Sequence, residues 1–199
     1  MTQVYFVRHA EVDYNIHNDV KRPLTEKGKE DTKLIVEFFK NKEIHVILSS
    51  PYMRAIDTVS NLAKQKELDI ITNYDLRERK IHSGWIDDFT TFCINQWKDF
   101  DYKLADGESL REVANRNISV LNDVMSQYEG KNIVIGSHGT ALSAIIHHYD
   151  SSFGYDEFNK IKNLMPWIVK FTFEGKKCIQ IDKINIFENN NNCNKRYTI

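Results

Sequence analysis

The sequence is poor in cysteine, proline and glycine, and it has no long apolar run. Its 199 residues include three cysteines, three prolines and eight glycines. Cys93, Cys178 and Cys193 have no motif spacing, which disfavours a disulfide framework and favours a reducing compartment. No run approaches the roughly 18 apolar residues of a membrane span. Because the N-terminus also lacks a signal-peptide pattern, we expect a cytoplasmic protein with no membrane partner.

Neither sign of charge is in excess. Lys and Arg total 27, Asp and Glu total 28, and the formal net charge is −1. A chain without a basic surplus is not favoured as a binder of nucleic acid or of anionic membranes. Hydrophobic residues make up 41% of the chain, which is enough for a sizeable core. We therefore expect one globular domain over residues 1–199, with no nucleic-acid partner; composition leaves its oligomeric state open.

Short apolar runs alternate with helical patterns along most of the chain. The apolar runs predict strands over 4–7, 45–51, 69–78 and 132–139. Helical patterns lie over 24–40, 52–65, 108–128 and 140–149, with Thr25 as a candidate N-cap. Two final runs predict a hairpin that turns at Glu174 and Gly175. This alternation predicts an α/β fold, a three-layer α/β/α sandwich with a mainly parallel sheet.

Two stretches depart from the alternation. Residues from about 81 to 106 are irregular and aromatic-rich, and they predict a small cap insertion. We expect most of its aromatics to bury one another in a small helical cap, and a lid that contacts substrate is the alternative. Residues from about 188 to 199 include four consecutive asparagines and predict a loose tail. The aromatics concerned are Trp85, Phe89, Phe92, Trp97, Phe100 and Tyr102.

Reactive or charged side chains follow the ends of the predicted strands. Ligands of open parallel sheets bind beyond the carboxyl ends of the strands. Segments that are distant in sequence can therefore bring two histidines, two arginines and one glutamate to one edge of the sheet. The side chains concerned are Arg8, His9, Arg54, Glu78 and His138.

These residue types suit the transfer of a phosphoryl group. The planar guanidinium groups of Arg8 and Arg54 match phosphoryl oxygens. A neutral histidine is a nucleophile at physiological pH, and a second histidine, if protonated, adds positive charge. The N–H groups of a helix that begins at Gly139 can bind an anion. Glu78 can donate a proton to a leaving alkoxide and later take one from water. The set predicts a covalent phosphohistidine intermediate.

Five motifs, in order along the chain, resemble the histidine phosphatase superfamily in its phosphoglycerate-mutase-like branch. They are VRHAEVDYN, PLTEKG, SSPYMRAIDT, GESLREVANR and VIGSHGTAL. The resemblance spans residues 4 to about 145 and implies an α/β/α sandwich, no metal and no cofactor. It implies His9 as the phosphorylated nucleophile and places Glu78 where the family has its proton donor. The implied phosphate pocket consists of Arg8, Asn15, Arg54 and His138, to which the start of the helix adds Gly139.

The motifs also depart from the family pattern. Ala10 stands where glycine is commonest, and Val12 replaces a frequent serine or threonine. The stretch RKIHSGWIDD after Glu78 lacks the Tyr-Gly-Leu-Gly run that is typical of cofactor-dependent mutases. The leading hypothesis is therefore a metal-independent phosphatase that acts on a small phosphomonoester. Phosphoglycerate mutase is the alternative.

Two further functions and the roles of several residues are also to be considered. A metallohydrolase is disfavoured because two arginines at the site would repel a dication. A non-catalytic phosphate-binding module is expected to have lost His9 or the acid. Lys21 and Arg22 are equally compatible with solvated charge and with contact to a second anionic group of the substrate. We interpret His147 and His148 as structural or surface histidines.

Overall fold

The structure, a computed structural model, describes residues 1–84 and 86–188, and within these ranges the chain forms six strands and six α-helices. The strands are β1 (Thr2–Arg8), β2 (Val46–Ser49), β3 (Ile70–Thr72), β4 (Asn132–Ser137), β5 (Trp167–Glu174) and β6 (Lys177–Ile184). The helices are α1 (Glu26–Phe39), α2 (Met53–Lys66), α3 (Phe89–Lys98), α4 (Leu110–Gln127), α5 (Gly139–Tyr149) and α6 (Tyr155–Ile161). The predicted strands and helices are present, and α6 is an addition.

One six-stranded sheet forms the centre of the fold, in the order β3-β2-β4-β1-β5-β6. The strands β3, β2, β4 and β1 are parallel to one another, whereas β5 pairs antiparallel with β1 and with β6. Arg8 at the end of β1 pairs with Ser137 on one side and Trp167 on the other. The predicted hairpin is confirmed, with Gly175 in its turn at φ +56°. The carboxyl ends of β1, β2 and β4 therefore meet at one edge.

Helices cover both faces of the sheet, because successive residues of a strand point to opposite faces. In β1, Val4 and Phe6 belong to an apolar cluster that includes buried residues of α4 and α5. Tyr5 and Val7 belong to a second cluster, on the side of α1 and α2. Full burial of such a side chain contributes about 1.5–3 kcal/mol. The predicted three-layer sandwich is confirmed.

The PLTEKG motif ties the start of α1 to the loop after β1. Thr25 is the predicted N-cap, and its Oγ1 accepts a hydrogen bond of 2.9 Å from the Gly28 N–H. The Thr25 N–H donates to the Glu11 carbonyl at 3.0 Å. A Cβ on Gly28 would lie 2.1 Å from the same carbonyl oxygen. Only glycine allows this approach, which fixes the chain just beyond His9.

The third strand is much shorter than the predicted run over 69–78. It comprises Ile70–Thr72 at the edge of the sheet, where Ile71 is 46% exposed. Asn73 ends it, since its side chain accepts a hydrogen bond from the Asp75 N–H and caps a 3₁₀ turn over Tyr74–Leu76. A local side chain to backbone hydrogen bond thus replaces the strand pairing. The turn leads directly to Glu78.

The predicted cap contains α3, whose N-terminus is capped by the Asp88 side chain. Its aromatics bury one another in part: Phe92 packs near Tyr102, and Trp97 packs against Phe100. Phe89 differs, because 49% of it is exposed. His147 stacks on Phe100 with ring centroids 4.1 Å apart, which confirms its structural interpretation. Trp85 lies outside the described residues, as does nearly all of the predicted tail over about 188–199.

None of the helices within residues 1–84 and 86–188 combines the length and the apolar character that a bilayer crossing requires.

Candidate active site

Two histidines meet where β1 and β4 end side by side. The Arg8–Ser137 pairing places the next residue of each strand, His9 and His138, at the same level of the sheet. The His9 N–H donates to the Ser137 carbonyl at 3.0 Å. The two imidazole centroids are 5.5 Å apart, and the rings are 6% and 0% exposed. The structure therefore brings the two predicted histidines together in a buried position.

The backbone sets the orientation of the His9 ring. Nδ1 lies 2.8 Å from the Ala10 carbonyl oxygen, so it carries the proton and donates to that oxygen. The Ala10 N–H is bound in turn by Thr58 Oγ1 of α2 at 2.9 Å. Burial lowers the pKa of His9 well below its usual value, and the charges of Arg54 and Arg8 lower it further. His9 is therefore neutral at pH 7, with the lone pair on Nε2.

His138 is held by a residue that the sequence analysis did not single out. Its Nε2 lies 2.7 Å from Ser50 Oγ, and its Nδ1 is buried without a hydrogen-bond partner among the described residues. Burial, followed by the charge of Arg54, lowers the pKa of His138 well below its usual value. His138 is therefore neutral at pH 7 in the protein alone, so the condition under which it would add positive charge is not met there. The polar run after β2 was the available signal for Ser50.

Arg54 lies in the first turn of α2 and is 3% exposed. Its Nη1 donates to the Asp19 carbonyl at 2.5 Å and lies 3.2 Å from Asp19 Oδ1. Arg22 Nη1 reaches the same carboxylate oxygen at 3.1 Å. Asp19 thus joins two arginines, and the Arg22 charge also contributes to the lowered pKa of His9. Arg22 therefore lies near the candidate nucleophile, which the sequence left open.

Arg8 does not present its guanidinium fork to the histidines. Nη1 donates to the carbonyls of Ile161 and Leu164 at 2.7 and 3.2 Å, and Nη2 donates to that of Lys162 at 2.8 Å. Nε is buried without a partner among the described residues, and Nη2 retains a second N–H. Burial lowers the pKa of Arg8 to about 10, although Glu78 and Tyr14 raise it. Arg8 is still a cation at pH 7, but only the N–H of Nε and the second N–H of Nη2 remain for a phosphoryl oxygen.

Gly139 allows Arg8 to lie against the start of α5. A Cβ on Gly139 would be 3.1 Å from Cζ, Nε and Nη2 of Arg8, which is closer than nearly all real contacts of that kind. The glycine in the SHG motif therefore makes room for a buried cation at the beginning of the helix. This steric role was not part of the prediction, which considered only the N–H groups of the helix.

Glu78 lies at the N-terminus of α5, as a cap. Its carboxylate accepts hydrogen bonds of 3.0 Å from the N–H groups of Thr140 and Ala141, and one of 2.8 Å from the Arg79 N–H. Two of the N–H groups expected to bind substrate are therefore occupied by Glu78. An acidic side chain is favourable at this end of a helix. The contact places Glu78 beside the helix that begins immediately after His138.

Asn15 lies apart from this arrangement. It is exposed, in the loop between β1 and α1, and its N–H donates to Asp13 Oδ1 at 3.0 Å. No hydrogen bond joins its side chain to His9, Arg54 or any other described residue. Its role in the phosphate pocket stays a prediction.

In residues 1–84 and 86–188, no three side chains of His, Cys, Asp or Glu come together as a ligand set for a metal ion. The charges that lower the pKa values of the two histidines include those of Arg54 and Arg8.

This chain belongs to the histidine phosphatase superfamily (branch 1), whose family model matches residues 4–186. A probable phosphoglycerate mutase GpmB of Proteus mirabilis is 29% identical over 160 residues, which cover 73% of this chain and 74% of that protein. The same-named Escherichia coli protein is 28% identical over the same coverage.

Solved structures of low sequence identity share the fold. A mycobacterial glucosyl-3-phosphoglycerate phosphatase superposes with a TM-score of 0.74 at 18% identity, covering 92% of this chain and 98% of that chain. Phosphoserine phosphatase from Entamoeba histolytica, in complex with 3-phosphoglyceric acid, gives 0.72 at 21% identity, covering 90% and 94%. At these identities the likeness concerns architecture alone.

Proposed function

We propose that this protein is a metal-independent phosphatase that hydrolyses a small phosphomonoester through a phosphohistidine on His9. The observation that carries the proposal is the His9 ring: Nδ1 is bound to the Ala10 carbonyl, and the pKa is lowered by burial. Both features keep the Nε2 lone pair available at neutral pH. A neutral imidazole in a fixed orientation is what nucleophilic attack on phosphorus requires.

The first step forms a bond between His9 Nε2 and phosphorus and breaks the bond from phosphorus to the ester oxygen. Glu78, in its protonated form, gives its proton to that oxygen, and the alcohol leaves. In the second step water attacks phosphorus, Glu78 takes a proton from the water, and the nitrogen–phosphorus bond breaks. Inorganic phosphate is released and His9 returns to its neutral form.

The cations supply the stabilisation of the phosphoryl oxygens. Arg54 contacts Asp19 through Nη1, which leaves its Nε and Nη2 available to a phosphoryl oxygen. Arg8 has its free Nε. A phosphate dianion placed between them would raise the pKa of His138, which then donates a proton to a phosphoryl oxygen. The site thus gains positive charge as the substrate binds, which fits an anionic substrate.

A phosphoglycerate mutase is the second candidate, favoured by the names of the relatives that are 28–29% identical. A mutase must keep the phosphoryl group on the enzyme and return it to the product, so it has to exclude water. The substrates named with the neighbouring structures, phosphoglycerate, phosphoserine and glucosyl-3-phosphoglycerate, are the compounds to test first.

A screen of phosphomonoesters in the presence of EDTA tests the proposal. Release of inorganic phosphate is measured beside the interconversion of 2- and 3-phosphoglycerate, with the His9→Ala variant as control. We expect phosphate release that survives chelation and that the control lacks. Interconversion without phosphate release would establish the mutase, and activity that EDTA abolishes and Zn²⁺ or Mn²⁺ restores would establish a metallohydrolase.

A further inference from the structure

The loop that carries Glu78 is held from outside the site by an arginine of α4. Arg116 Nη1 donates to the carbonyls of Asp75 and Arg77 at 2.6 and 2.8 Å. Its Nη2 donates to the carbonyl of Glu78 itself at 3.2 Å. The Arg116 side chain is only 10% exposed. One buried guanidinium thus binds three carbonyl groups within four consecutive residues of the loop.

Glu108 holds the Arg116 guanidinium in place and also binds the loop that carries Glu78. Its carboxylate lies 2.9 Å from Arg116 Nε and 3.1 Å from Nη2. It also accepts hydrogen bonds from the Lys80 N–H at 2.9 Å and from Arg77 Nη2 at 2.7 Å. Burial raises the pKa of Glu108, but the hydrogen bonds from Arg116 and Lys80 outweigh it, and the pKa is lowered overall. Glu108 is therefore ionised when it binds the loop.

Gly107 allows Glu108 and Arg116 to lie close to the loop that carries Glu78. The Glu108 N–H donates to the Lys80 carbonyl at 2.8 Å. A Cβ on Gly107 would lie 2.1 Å from the Ile81 carbonyl oxygen, so a larger residue would push the two segments apart. The GESLREVANR motif, which the reaction itself does not use, thus supplies the glycine, the glutamate and the arginine of one clamp.

We propose that Arg116, held by Glu108, is a positioning residue that places the carboxyl group of Glu78 for proton transfer to the leaving oxygen. This inference rests on the phosphatase function proposed above. The backbone of Glu78 is bound by α4, and its side chain is bound by the N–H groups that open α5. Both helices therefore determine where the proton is delivered.

A comparison of two leaving groups distinguishes a positioning residue from a residue that only stabilises the fold. An alkoxide needs a proton in the transition state, whereas p-nitrophenolate hardly does. A residue that only stabilises the fold affects both substrates alike. A displacement of about 1 Å in a catalytic group can cost on the order of 10²-fold in rate. We therefore expect Arg116 variants to lose activity selectively on alkyl phosphates.

The experiment compares glycerol 2-phosphate with p-nitrophenyl phosphate in single turnover at enzyme excess, where formation of the phosphoenzyme is observed. For Arg116→Gln we expect a loss of roughly 10–100-fold with glycerol 2-phosphate and of less than about 3-fold with p-nitrophenyl phosphate. Arg111→Gln is the matched control, because Arg111 lies on the same helix and binds only the exposed Asp101. It should leave both rates unchanged.

A double variant and chemical rescue show whether Arg116 acts through Glu78. Adding Arg116→Gln to Glu78→Gln should cause no further change in the ratio of the two rates, because the shared function is already lost. Millimolar guanidinium should restore the glycerol 2-phosphate rate of Arg116→Ala but not that of Glu78→Gln. Independent, multiplicative losses in the double variant would overturn the proposal.

Folding is followed by urea denaturation of each variant. Should Arg116→Gln not fold, Glu108→Gln decides, since it removes the charge that holds the guanidinium and is expected to show the same selective loss in weaker form. Equal losses on both substrates, or none, in a folded variant would leave Arg116 a structural residue. In that case the wild-type phosphoenzyme and its dependence on His9 still stand, whereas an inactive wild type would overturn the phosphatase function itself.

Discussion

The two sides of the candidate site are built in different ways. The floor, which we define as His9, His138 and Ser50, is buried at the ends of β1, β4 and β2 and held by backbone and short side-chain contacts. The wall, defined as residues 13–23, is largely exposed, and its Asp19 is bound by charged side chains. Burial lowers the pKa values of the two histidines of the floor, whereas the wall places charged side chains next to Arg54. Under the proposed function, the floor would supply the nucleophile and the wall would influence binding of the anionic substrate.

Removal of the nucleophile is the strongest test of the floor. His9→Ala should reduce turnover by at least about 10⁴-fold, because it removes the nucleophile of the proposed covalent intermediate. Acid-labile phosphate, trapped on the wild-type enzyme during turnover, should be missing from the variant. His148→Ala, which removes a histidine at the far end of α5, is the control and should behave as wild type. Substantial turnover by pure His9→Ala protein would contradict the assignment.

Glu78→Gln tests whether Glu78, which caps the start of α5, acts together with the histidines of the floor. The amide keeps the size of the side chain but cannot deliver a proton as a carboxylic acid does. We expect a loss on the order of 10²–10⁴-fold in phosphoenzyme formation from alkyl phosphates and a small loss with p-nitrophenyl phosphate. The rates are measured by rapid mixing at enzyme excess. Equal losses would point to another carboxylate, of which Asp87 and Asp88 in the cap are the first to replace.

The burial of the floor predicts how stability depends on pH. The folded-state pKa values of His9 and His138 lie well below the usual 6.5. Below pH 6.5 the unfolded chain therefore binds more protons than the folded one. The free energy of unfolding should fall with decreasing pH, by up to about 1.4 kcal/mol per pH unit for each histidine. Urea denaturation at pH 7, 6 and 5 measures this slope.

Replacing one histidine of the floor isolates that residue's contribution to the pH dependence of the unfolding free energy. The difference in unfolding free energy between wild type and His138→Asn cancels the contributions of the other titrating groups. This difference should shrink as the pH falls from 7 to 5, since only in the wild type does the unfolded chain gain a proton on His138 that the folded chain does not bind. A difference that does not depend on pH would mean that His138 titrates normally in the folded protein.

Asp19→Asn, a substitution within the wall, should have the smallest effect of these variants. The Asp19 carboxylate binds Arg54 and Arg22, so it competes with a phosphoryl group for the same cations. Because partly exposed ion pairs are worth about 0.2–1 kcal/mol, we expect KM to fall by a factor of roughly 2–5 with kcat nearly unchanged. Asp101→Asn, which removes a more exposed ion pair with Arg111, is the control. A raised KM would show that Asp19 orients Arg54 rather than competing for it.

The sequence predicted the two histidines of the floor because topology alone determines their positions. Parallel strands put their carboxyl ends at one edge, so a histidine directly after β1 and another directly after β4 have to be neighbours. The apolar runs that form these strands are continuous and fully buried, and such runs are recognisable without further information. The same reasoning placed Arg54 in the first turn of α2.

The partners of the charged groups could not be predicted in the same way. Arg8 binds carbonyl groups at the end of α6, a short helix without a recognisable pattern and far along the chain. Glu78 caps α5 because a 3₁₀ turn, rather than a longer strand, precedes it. The wall depends on side-chain contacts in a loop, where no periodicity constrains the path. Local hydrogen bonds of this kind leave little trace in a sequence.

The central position of β1 has a consequence for biosynthesis. Gln3 pairs with Asn132 and Thr172, so β1 leaves the ribosome long before its two neighbouring strands. At roughly 5–20 residues per second, β4 follows it only after on the order of 10 s. During that interval an apolar strand has two open edges and His9 has no partner ring. The nascent chain therefore lacks the paired histidines and is prone to aggregate until β4 and β5 have been made.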